Sequence, residues 1–198
     1  AAIVNRGPVT IRDGGFAACV APEVVNDGVV IATLGKVELA SGDEFTVDPA
    51  GDGLIRFSTA RGVDRGGDGP RVRQDGTVEG GYVALTAQDM GRLVQNAVST
   101  GGVTRATGFA RGADGSISLT APGAGVAVAA GAELDADNSV AIEAAEVSIA
   151  DAQVDAGDEG SVTVAATGSI ALTDSAVRAA SVTLAADTDE TDGGDVIV

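Results

Sequence analysis

Asp187, Asp189, Glu190, Asp192 and Asp195 fall within nine residues, in the run DTDETDGGD. Clustered carboxylates and loop carbonyls are what a calcium ion takes up. The spacing departs from an EF-hand loop, because Thr191 and Asp192 stand where Asp and Gly belong. It also departs from the Gly-Gly-x-Gly-x-Asp nonapeptide. Asp151, Asp155, Asp158 and Glu159 form a second acidic corner. Both read as solvated acidic edges first and as calcium sites second. A different chemistry would arise if Arg65, Arg71 and Arg73 folded over Asp48 and Asp52, because convergent carboxylates and bases are what sugar-cleaving enzymes need. Cys19 is the only cysteine, so an intrachain disulfide and a cysteine zinc site are both excluded. There is no histidine, the commonest acid–base catalyst and transition-metal ligand. No catalytic, cofactor-binding or metal residue is assigned, and the chain reads as a non-enzyme.

The elements that hold these residues are legible as a repeat, the feature to seek first. From Ser116 onward, Ile117/Leu119, Val140/Ile142, Val162/Val164 and Val182/Leu184 recur every 20–23 residues. Val126/Val128, Val147/Ile149 and Ile170/Leu172 form a second series, and Leu134, Val154 and Val177 a third. Apolar residues two apart share one face of a strand. Ser118, Ala141, Thr163 and Thr183 should therefore point outward, as should Ala127, Ser148 and Ala171. One hydroxyl per coil on that outer file is sparse for ice binding, although its smallness suits sideways packing of one rod on another. Gly115-Ser116, Asn138-Ser139, Gly160-Ser161 and Ala180-Ser181 read as corners. The expected fold is an all-β, right-handed parallel β-helix with three short strands per coil of about 21 residues and about seven to nine coils in all.

The first half repeats less evenly. Asn5-Arg6-Gly7 before Val9 and Ile11 returns as Asn26-Asp27-Gly28 before Val30 and Ala32. DGGFAACVAP, from Asp13, returns as EGGYVALTAQ, from Glu79, which matches Phe16 to Tyr82 and places Cys19 inside with Leu85. Two interruptions are expected. Residues 58–77, STARGVDRGGDGPRVRQDGT, read as a long loop leaving the coil. Residues 88–98, QDMGRLVQNAV, place Met90, Leu93, Val94, Ala97 and Val98 at helical spacing and read as a short capping helix. The whole of 1–198 is taken as one β-helix segment, with 1–111 carrying the insertions and 112–198 regular acidic coils.

Charge is divided along the same line. Of the net −17, residues 112–198 contribute 16 acids against the single base Arg178. Such a surface disfavours nucleic acid, whose phosphates need Lys and Arg, and disfavours anionic membranes for the same reason. No apolar run reaches the ~20 residues of a spanning helix, and no signal-peptide pattern is present.

The stretch Ile3–Phe57, IVNRGPVTIRDGGFAACVAPEVVNDGVVIATLGKVELASGDEFTVDPAGDGLIRF, resembles filamentous haemagglutinin-type exoproteins of the two-partner secretion pathway. The shared features are the Asn-x-Gly turn, the Gly-Gly-x-Val-Ala-Leu strand, the Leu-Gly-x-Val-x-Leu-Ala-x-Gly segment and the GDGL corner. Gly80–Gly108, GGYVALTAQDMGRLVQNAVSTGGVTRATG, resembles the next part of the pattern, so the resemblance spans residues 3–120. It implies a right-handed parallel β-helix, a secreted or cell-surface location in bacteria, and a role as the stalk of an adhesin. Implied partners are the outer-membrane transporter during secretion and, through other regions, a receptor or glycan on a host or neighbouring cell. The family's Asn-Pro secretion motif is absent, which places the segment beyond it in a longer protein. A laterally assembling unit of a filament or matrix is the alternative, and a polysaccharide-processing enzyme comes third.

Overall fold

Val, Ile and Thr dominate the periodic segments, and β-branched side chains fit a pleated, half-buried surface. The computed structural model describes residues 1–42, 69–87, 97–108, 114–190 and 193–198, together with the backbone of 44–47 and 57–61. Apart from an antiparallel pair formed by 44–47 and 57–61, the strands are parallel and stack into one continuous sheet, and no helix occurs among the described residues. The architecture is all-β and of the parallel β-solenoid class.

Three ladders carry the stack. The first runs through Ile3, Val24, Val72, Val98, Val126, Val147, Ile170 and Val196, each paired to the next. The second runs through Val9, Val30, Val78, Thr104, Leu134, Val154 and Val177. The third runs through Ala17, Val37, Val83, Ile117, Val140, Val162 and Val182. From Ser116 onward every register read from the apolar repeat is observed at the residue level. Phe16 and Cys19 do align with Tyr82 and Leu85, but Lys36 and Leu39 lie between them.

The core is aliphatic. Leu39, Leu85, Ile117, Leu119, Leu134, Ile142, Ile149 and Ile170 are fully buried, each stabilising the fold by about 1.5–3 kcal/mol. Where the wall bends, the inward residues shrink, as in Ala121, Ala144 and Ala166 or Ala106 and Ala136. Cys19 is half-buried against this core, and burial pushes its thiol pKa up. The outward positions Ala141, Thr163 and Thr183 are exposed.

One inner file is polar. Asn5, Asn26, Gln74 and Thr100 occupy successive rungs of the first ladder, at the position that Val128, Ile149 and Leu172 occupy further on. The Asn5 amide donates to Asn26 Oδ1 at 2.7 Å, and the Asn26 amide donates to Gln74 Oε1 at 2.6 Å. Gln74 Nε2 then donates to the carbonyls of Val103 and Gly76, at 3.0 and 3.1 Å. Burial is tolerated because each amide finds a partner. The adjoining corner has its own file, Gly7, Gly28, Gly76 and Gly102. A Cβ on Gly76 would lie 2.0 Å from the Gly28 carbonyl oxygen, and one on Gly102 would lie 2.1 Å from that of Gly76.

The two expected interruptions are corrected at their described ends. Within 58–77, residues 58–61 belong to the strand Phe57–Arg61, antiparallel to Glu44–Val47. Val72–Gln74 is a full rung with Val72 and Gln74 buried, and Thr77 opens the strand Thr77–Ala87. Alternation failed to reveal this rung because its second inward residue is an amide rather than an aliphatic. Residues 62–68 lie outside the described residues. Within 88–98, Ala97 is buried and Val98 opens the strand Val98–Thr100. Here pairing with Val72 and Val126 overrides the helical spacing. Residues 88–96 lie outside the described residues.

Candidate functional site

The sequence-level candidates disperse. Arg178 reaches the acidic corner, bonding Asp155 at 3.4 Å and also pairing with Asp158. Asp151 takes a left-handed backbone, φ 48°, at a different turn. Among the described residues no three His, Cys, Asp or Glu side chains gather as a metal set. In the tail, 191–192 lie outside the described residues. Arg73 ion-pairs with Asp27 at 3.1 Å and Asp75 at 3.4 Å, so it is committed to a corner of the first ladder. Arg71 is buried, while Asp48, Asp52 and Arg65 fall outside the described residues.

A different group converges on the outer face of the third ladder. Alternation there sends every second residue outward, and the parallel register lines these up in files. Phe16, Lys36, Tyr82 and Ser116 make one file. Ala18, Glu38, Ala84 and Ser118 make the next, and Val20, Ala40, Thr86 and Thr120 the third. With rungs about 4.8 Å apart, the two aromatics stand roughly 10 Å apart along the stack.

This outer face is not uniformly solvated. Phe16 is 52% exposed, whereas Ala40 and Ala84 are buried and Glu38 and Tyr82 are half-buried. Burial pushes the Glu38 carboxyl up to about 7, because desolvation disfavours the charged form. Burial also raises the Tyr82 phenol, and the charges of Glu38 and Asp114 raise it further. The nearby Ser118 hydroxyl acts the other way. Ser118 Oγ lies 3.4 Å from Thr120 Oγ1.

Chemically, the cluster offers aromatic faces, several hydroxyls and a carboxyl that both donates and accepts near neutrality. Sequence reasoning passed over Glu38 and Lys36 because an outward charge on a strand is ordinarily solvated. The signal available was the match of Phe16 with Tyr82, which would have exposed the file once Lys36 was set between them. The intervals between paired residues are long on this face. Tyr82 pairs with Ser116, 34 positions on, and Lys36 with Tyr82, 46 positions on, against 20–23 in the third ladder after Ser116.

The described residues together form a parallel β-solenoid with a distinctive outer face on its N-terminal rungs. Comparison with protein-family models, with curated proteins and with solved structures finds no match to the chain.

Proposed function

We propose that this chain is a stalk segment of a secreted or surface-displayed bacterial exoprotein of the filamentous haemagglutinin type. In this reading it is non-enzymatic and forms a right-handed β-helix with three strands to a coil of about 21 residues. The observation that carries the reading is the unbroken first ladder from Ile3 to Val196. A hydrogen-bonded file along the whole length of a chain makes a stiff spacer, which holds distal regions away from a cell. The motif resemblance over residues 3–120 supports the same class, with an outer-membrane transporter as partner in export.

The test is export. The chain is fused behind a two-partner secretion domain and expressed with the cognate transporter in a Gram-negative host. Surface protease sensitivity and electron microscopy of the displayed product then report its location and shape. A rod beyond the outer membrane is expected. A folded product retained in the periplasm, while the secretion domain alone is exported, overturns the reading.

Lateral assembly is a second reading, favoured by the small exposed outer residues Ala141, Thr163 and Thr183. Bundling of purified rods as salt screens the −17 charge would support it.

A further inference from the structure

We draw no further inference here: the strongest candidate, the outer face of the third ladder around Lys36, Glu38 and Tyr82, has Ala40, Ala84 and Ser116 buried within it, and nothing in the structure shows what covers it.

Discussion

The first four rungs of the first ladder and the three that follow solve one packing problem in two ways. At the same inward position, Asn5, Asn26, Gln74 and Thr100 give way to Val128, Ile149 and Leu172. The corner beside it changes in step, from Gly7, Gly28, Gly76 and Gly102 to Ala132 and Ala152. The intervals between paired residues change too. They are 21, 48, 26 and 28 positions from Ile3 to Val126, then 21 and 23 to Ile170. An aliphatic contact is non-directional and tolerates slippage. An amide that must donate to the next amide does not. The polar file thus stands where spacing along the chain is least able to fix the register, and oil suffices where the repeat itself does so.

The sharpest break in that contrast comes from the corners. Gly76→Ala puts a Cβ 2.0 Å from a backbone oxygen that cannot move aside, so a loss of about 3 kcal/mol or more is expected in urea denaturation. The aligned corner at Ala132 already carries a Cβ. Next comes the amide file. Asn26→Leu takes away the donor to the buried Gln74 Oε1 and the 2.7 Å acceptor of the Asn5 amide, and should cost about 2–3 kcal/mol. Replacing Asn5, Asn26 and Gln74 together by aliphatics should recover much of that, since no orphan amide remains. Hydrogen exchange of Val72–Gln74 should then rise, because the register is less firmly held. An unchanged exchange pattern would break the comparison.

Glu38 gives a smaller, pH-dependent effect. Folding raises its pKa from 4.5 to about 7, so its stabilising share is full below about pH 4.5 and lost as pH rises through 7. Glu38→Gln should match the parent chain near pH 4 and exceed it by about 1–2 kcal/mol at pH 8 in paired melts. The smallest effect lies on the outer wall. Arg105 and Asp135 pair at 2.9 Å across neighbouring rungs, but their side chains are 40% and 44% exposed. Arg105→Ala should cost less than about 1 kcal/mol, and less still in high salt.

The same contrast explains what the sequence revealed. After Ser116, Val162 and Val164 sit opposite Val182 and Leu184 as the apolar repeat requires. In the first half the inward face holds Gln74, Thr100 and Thr104, all fully buried, and an apolar pattern cannot register them. Val72–Gln74 therefore passed for loop and Val98 for helix. Asn5 and Asn26 were legible as turn residues, but not as inward amides, because their partners are 21 and 48 residues away. The candidate site was hidden for a related reason. Glu38 meets Tyr82 and Ser118 only through a register that skips 46 and then 34 residues.

The regular half carries one more implication, for descent rather than for stability. Removing residues 139–160 would bring Ile117 opposite Val162, Val126 opposite Ile170 and Leu134 opposite Val177, so every ladder would close on an equivalent partner. Duplicating the same residues would close it equally well. Length in this part of the molecule is thus free to drift between lineages by whole courses through unequal recombination. In the amide-lined half the same accident would also have to preserve the donor and acceptor that join Asn5, Asn26 and Gln74.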